Sequence, residues 1–159
     1  MAEQEATDTG TAGVIARPPV LFLTVLLLGF VSDRLLPLPF PLSGLTWVLA
    51  ATLILIGLAF FAAAIRNFLR ARTPVPTNQP TRVLVTTGIH RWTRNPIYLG
   101  MFLLYLGIGI AVRSPWILIL TLPLAILIRY GVVAREEAYL ERRFGDAYRD
   151  YKARVRRWL

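Results

Sequence analysis

Four apolar runs divide the chain. From Pro18 to Ser32 no residue is charged, and VLFLTVLLLGFV fills most of the run. Adding Val14–Ala16, or Leu35 and Leu36, brings it to the roughly 20 residues that span a bilayer. The pattern then breaks at LLPLPFPLSG, where three prolines at alternate positions predict an extended connector. Leu45 to Ile65 gives 21 uncharged residues, the cleanest predicted transmembrane helix. Pro96 to Val112 gives 17, at the lower limit of a span, with Pro96 suited to a first helical turn. Arg113-Ser114-Pro115 is a very short link to the fourth run, Pro115 to Ala134, which only Arg129 interrupts. The last two runs read as a helical hairpin.

The polar segments are of three kinds. Residues 1–13 are small and acidic and predict a disordered tail, without the positive opening of a secretory signal. Residues 73–96 hold four Pro and one Gly, which predicts a loop with a short extended piece at RVLVTT. After Ala134, the residues Leu140, Phe144, Tyr148, Tyr151 and Val155 recur at helical spacing, one apolar face on an otherwise charged segment. Gly145-Asp146 reads as a C-cap followed by an N-cap, hence two short helices or one kinked one. The expected fold is all-α: a polytopic membrane protein with about four transmembrane helices, a tight hairpin and C-terminal amphipathic helices. One integral-membrane domain covers 14–159.

Composition narrows the chemistry. Hydrophobic residues make up 55% of the 159, above the usage of soluble domains. There is no Cys and one His, which leaves no Cys-based or His-rich metal site. A net charge of +9 invites a nucleic-acid reading, but the placement of the charge answers it. Residues 66–96 hold six Arg and 129–159 hold nine Lys or Arg, whereas the other two connectors hold Arg34 and Arg113. With four spans and a cytoplasmic N-terminus, both basic regions face the cytoplasm, as the positive-inside rule requires. The expected partner is therefore the lipid bilayer and not a nucleic acid, with both termini cytoplasmic.

Two places carry polar residues that topology does not explain. Arg129 lies inside an apolar run, as a snorkelling cation or as one facing a polar cavity. Glu136 follows seven residues later, which predicts a shared helix face, and Glu137 adjoins it. The second place is HRWTRNPIYLG, His90–Gly100. Arg91 and Arg94 fit a topology signal, Trp92 an interfacial belt and Asn95 a helix cap. His90, Tyr98 and Gly100 are left over. A Gly in the first turns from Pro96 admits a second backbone or a flat ligand, and the helix start favours an anion.

These residues carry a resemblance. LVTTGIHRWTRNPIYLGM is similar to the signature Gly-x-(Tyr/His)-Arg-x-x-Arg-(His/Asn)-Pro-x-Tyr-x-Gly of the isoprenylcysteine carboxyl methyltransferase and phospholipid methyltransferase superfamily. REEAYLERRFGDAYRDYKARVRRW resembles its second signature, Glu-Glu-x-x-Leu-x-x-x-Phe-Gly-x-x-Tyr-x-x-Tyr-x-x-x-Val. Both stand in the family's order, separated by its hairpin, over about residues 73–157. The resemblance implies an integral-membrane methyltransferase using S-adenosylmethionine in a cytoplasmic pocket. It implies that His90, Arg94, Asn95, Pro96, Tyr98, Leu99 and Gly100 line the pocket. Glu136 or Glu137 would take the ribose hydroxyls or the amino group. A lipophilic or lipidated acceptor would enter from the bilayer, with Arg91 and Arg129 as the catalytic pair steering its anionic group. A carboxylate or thiol acceptor ranks first and a phospholipid amine second. Eukaryotic carboxyl methyltransferases have His-Pro where this chain has Asn95-Pro96, and Asn cannot titrate near neutrality. The Asn form is common in bacterial relatives, which points to a bacterial inner membrane. An NADPH-dependent sterol-reductase-like enzyme and a non-enzymatic membrane scaffold are the alternatives.

Overall fold

A computed structural model describes residues 12–40, 44–75 and 80–159. The expected disordered tail lies outside the described residues as far as residue 11, as do positions 41–43 and 76–79 of two connectors. All regular structure among the described residues is helical.

Helix α1 runs Pro18–Leu35, α2 Thr46–Arg70 and α3 Pro96–Ala111. Helix α4, Pro115–Leu127, passes through a π-helical stretch, Ile128–Val133, directly into α5, Ala134–Phe144. Helix α6 is Asp146–Arg154. Three helical runs are long and apolar enough to cross a membrane: Pro18–Leu35, Thr46–Arg70 and Pro115–Phe144. The shorter apolar helix α3 spans only about 24 Å at 1.5 Å per residue. Pro18, Pro96 and Pro115 each open a helix, where a missing N–H costs nothing. The α3–α4 hairpin turns at Arg113, with φ +55°, and the Ser114 side chain caps α4 by accepting from Ile117 N at 3.0 Å.

Small residues bring α2 and α3 into backbone contact. A Cβ on Gly57 would stand 2.8 Å from the Gly100 carbonyl oxygen, and one on Gly100 2.8 Å from that of Gly57. Ala50, Gly57 and Ala64, one heptad apart, are buried on the same helix. Helices in lipid gain no hydrophobic drive from meeting, so close van der Waals approach of this kind holds them. On the other side of α3, Phe22 of α1 meets Phe102 edge-on at 4.9 Å and Tyr105 at 6.1 Å. Ile117, Leu124 and Ile128 fill the space beneath. Leu23, Leu27, Leu55 and Leu122 point outward, more than half exposed.

The two ends of the bundle differ. At one end the Leu36 carbonyl accepts from Trp116 Nε1 at 2.7 Å, and Arg113 sits over the Phe40 ring. At the other, the approach to α1 is stitched to the π turn: Ile15 N donates to Gly131 O at 3.2 Å and Arg135 to Gly13 O at 2.8 Å. The polar loop, α5 and α6 gather at this second end.

Three local expectations change. RVLVTT forms no strand; it is irregular chain fastened by Arg82 N to Thr73 Oγ1 at 2.9 Å and Thr81 N to Tyr139 Oη at 3.2 Å. The fourth apolar run ends at Ala134, but its helix does not: the π turn carries it on to Phe144, so the hairpin arm and the first amphipathic helix are one continuous helical run. Gly145, with φ +53°, separates α5 from α6 as expected, but Asp146 is not the cap residue. It lies in the first turn of α6 and pairs with Arg149 at 2.6 Å.

Candidate active site

The chain between α3 and the C-terminus closes over one end of the bundle. Asn95 stands at the N-cap of α3, yet its side chain does not cap the helix. It donates instead to the Arg157 carbonyl at 3.1 Å. Thr93 Oγ1 donates to the same oxygen at 3.1 Å, and Arg94 N to Arg156 O at 3.0 Å. Trp158 then packs edge-on against Phe102. The last residues of the chain thus cross the start of α3, beside a cavity.

Counted with its open mouth, this cavity holds about 990 Å³ of free space. Its wall is apolar: Pro18 and Pro19 of α1, Phe61 and Ile65 of α2, Met101 of α3. Its floor is polar, built from His90, Arg94, Asn95, Tyr98 and the two glutamates, with Tyr148 and Tyr151 of α6 at the side.

The glutamates are adjacent and buried but serve different ends. Glu137 takes a two-point contact from Arg157, at 2.9 and 2.7 Å, and a third from Arg94 Nη2 at 3.3 Å. The hydrogen-bonded carboxylate raises the Arg157 pKa, and Arg157 stays a cation. Glu136 has no described ion pair; Tyr98 Oη donates to its Oε1 at 2.7 Å. Arg94 is also incompletely paired. Its Nε and Nη1 are buried with no hydrogen-bond partner among the described residues, and the Tyr148 phenol lies beside the guanidinium.

His90 sits in a 3-10 turn, Gly88–Arg91, and is 4% exposed. Its carbonyl accepts from Tyr151 Oη at 2.7 Å and its ring meets Phe68 edge-on at 5.2 Å. Burial pushes its pKa down to about 4, so the imidazole is neutral at physiological pH. Burial also raises the phenols of Tyr148, beside the Glu137 carboxylate, and Tyr151, which remain hydroxyls.

Six of the expected pocket residues besides Pro96 therefore meet on one floor: His90, Arg94, Asn95, Tyr98, Glu136 and Glu137. Four others stand outside the cavity lining. Gly100 faces Gly57, so the gap it leaves is filled by α2 backbone rather than by a ligand. Leu99 is half-buried on the neighbouring face. Arg91 is exposed and borders a separate shallow hollow with Arg154. Arg129 lies over the Tyr130 ring at 5.1 Å. The shared face expected for Arg129 and Glu136 is lost because the intervening π turn inserts extra backbone and rotates one residue from the other.

The site is completed by residues not assigned to the cofactor pocket from the sequence: the two tyrosines of the second signature, and Arg157 and Asn67. Arg157, Tyr148 and Tyr151 hold or border the floor, and Asn67 of α2 reaches it from below, with Nδ2 3.2 Å from His90 Nδ1. Asn67 carried one signal: it falls three residues after Ala64, the last of the small residues that mark the α3-facing stripe.

An uncharacterized protein of Haemophilus influenzae is 41% identical over 68 residues, 43% of this chain and 82% of the relative. No solved structure matches. A family model described as phospholipid methyltransferase matches residues 45–147, which takes in α2, α3 and both glutamates. With nearly two thirds of its length inside that match, the chain belongs to the phospholipid methyltransferase family of membrane methyltransferases.

Proposed function

We propose that the protein transfers a methyl group from S-adenosylmethionine to a lipophilic acceptor, with both termini and the polar floor on the cytoplasmic side. The observation that carries this reading is Arg94, a buried guanidinium with two unsatisfied donors on the floor of the cavity. Such donors call for an anion, and the amino-acid end of S-adenosylmethionine brings a carboxylate. The uncapped start of α3 beside Arg94 favours the same charge. Glu136 has an oxygen without a described partner, and it takes the amino group or the ribose hydroxyls. Glu137 is already committed to Arg157 and Arg94 and fixes the direction of Arg94. The fit is therefore good, and the roles of the two glutamates divide.

S-adenosylmethionine supplies a methyl group already activated on a sulfonium. What remains for the protein is to align, desolvate and hold. The tyrosines exclude water above the floor. The apolar wall of α1, α2 and α3 accepts a lipid tail against the polar floor, and the basic end of the bundle faces the cytoplasm. His90 is a poor base near neutrality, since its pKa lies far below operating pH. An acceptor already ionised at pH 7 suits this site, so a carboxylate or an acidic thiol ranks first. A phospholipid amine ranks second: its ammonium must lose a proton before the nitrogen can accept the methyl group, and Glu136 is the candidate base that would take it. The family match favours methyl transfer over a reductase or a scaffold.

In nanodiscs, calorimetry is expected to register S-adenosylhomocysteine binding, weakened at least 30-fold by Arg94→Ala. Tight NADPH binding without it would overturn the assignment, and binding of neither would favour the scaffold. Incubation with labelled S-adenosylmethionine and a total lipid extract then identifies the acceptor by the species that carries the label.

A further inference from the structure

The chain has one histidine, and its ring is held from outside the motif that contains it. Asn67 Nδ2 donates to the Thr87 carbonyl at 2.8 Å and lies 3.2 Å from His90 Nδ1. A carbonyl oxygen only accepts, so Thr87 fixes which end of the amide faces it. The same NH2 group then presents its second hydrogen to Nδ1. An Nδ1 that accepts carries no proton in a neutral imidazole, so the proton sits on Nε2. Nε2 has no described hydrogen bond, and His90 lines the cavity. Gly88 makes the contact possible: at φ +58° it has no Cβ, and one placed there would stand 2.4 Å from Asn67 Nδ2. Phe68, next to Asn67 on α2, meets the ring edge-on and blocks its rotation.

We infer that Asn67 is a positioning residue that locks His90 in the Nε2–H tautomer, making it a hydrogen-bond donor toward an acceptor atom in the cavity. The inference rests on the proposed cofactor site for its functional half only. Its structural half concerns one ring and one amide. A neutral donor at this point would orient a ligand oxygen or ring nitrogen without adding charge, beside the cation that Arg94 already supplies.

The single imidazole makes the test direct. Untagged protein labelled with ¹⁵N-histidine in detergent gives one imidazole in long-range ¹H–¹⁵N spectra. Protonated Nε2 and bare Nδ1 are expected at pH 7. Asn67→Ala should bring a mixture of tautomers, and Asn67→Asp should move the proton to Nδ1. Each should weaken S-adenosylhomocysteine binding at least ten-fold, with Asn67→Ser restoring part of both. A wild-type spectrum with the proton on Nδ1 would overturn the inference, and needs no variant to fold. So would a tautomer indifferent to Asn67, or one that switches while affinity stays unchanged. If wild-type protein binds no S-adenosylhomocysteine, the cofactor reading fails while the tautomer result still decides the lock.

Discussion

On the floor of the cavity, Glu137 answers to Arg157 and Arg94, Tyr98 to Glu136 and the His90 ring to Asn67. Along the wall, Phe61, Ile65 and Met101 contribute only apolar surface. The difference follows from what burial demands. A charge taken out of water needs a partner at a fixed direction, so each floor residue constrains the next. An apolar side chain needs only contact, which many shapes supply. Floor substitutions should therefore act on stability and cofactor affinity together. Wall substitutions should leave both nearly untouched and act on the acceptor.

The largest effect is expected at Glu137. Replacing it with Ala leaves Arg157 and Arg94 facing each other without a carboxylate, a loss of about 3–5 kcal/mol for a broken buried pair. Thermal unfolding in detergent should show the midpoint fall well below wild type, with Glu137→Gln in between. An unchanged midpoint would mean that the three-way contact contributes little to the floor.

His90 gives the next effect, through pH. Its folded pKa of about 4 lies below the ordinary 6.5. The unfolded chain therefore binds the proton first as pH falls. The stability tied to neutral His90 is complete above pH 6.5 and is lost progressively down to pH 4. At pH 5 the loss is about 2 kcal/mol, from 1.36 kcal/mol per pH unit. His90→Gln removes this dependence and leaves every other titrating group in place, so the two curves are compared by difference. Between pH 6.5 and 5, wild type should lose about 2 kcal/mol relative to the variant. Parallel curves would place His90 in a wetter setting than the floor provides.

Tyr98→Phe should cost less, about 1 kcal/mol or somewhat more, since it removes one hydrogen bond to a carboxylate and keeps the ring. Its mark would be cofactor affinity, because Glu136 loses the group that aims it. Equal affinity in wild type and variant would remove Glu136 from the binding role.

How far the sequence reveals this arrangement depends on whether a feature is local. The helices follow from uncharged runs, because hydrocarbon admits little else. The floor follows from two motifs whose residues lie close together along the chain. What escapes is set by geometry across the chain. The π turn shifts Arg129 away from Glu136, and seven-residue spacing gives no warning of it. Gly100 reads equally as room for a ligand or for a helix until Gly57 is seen against it. Asn95 has the sequence position of a cap, yet its amide goes to Arg157, 62 residues later. Asn67 lies outside both motifs, and only the small-residue stripe of α2 hints that it faces inward.

Met101 is where wall and floor separate most cleanly. It is half-buried on α3, one turn beyond Ile97, and lines the cavity with no polar contact to lose. Met101→Ala opens the wall without touching Glu136, Arg94 or His90. Cofactor affinity should stay within about two-fold, because an apolar truncation at a partly exposed site leaves the charged contacts intact. The acceptor should respond differently: a longer or bulkier tail gains room, and one or two methylenes in an apolar pocket are worth about 1–3 kcal/mol. Competition between labelled acceptors of graded chain length should thus shift toward the longer one while S-adenosylhomocysteine titrations superimpose. If instead affinity for S-adenosylhomocysteine falls and chain-length preference stays fixed, the apolar half of the cavity holds the cofactor. The acceptor would then have to approach from the basic, water-facing end.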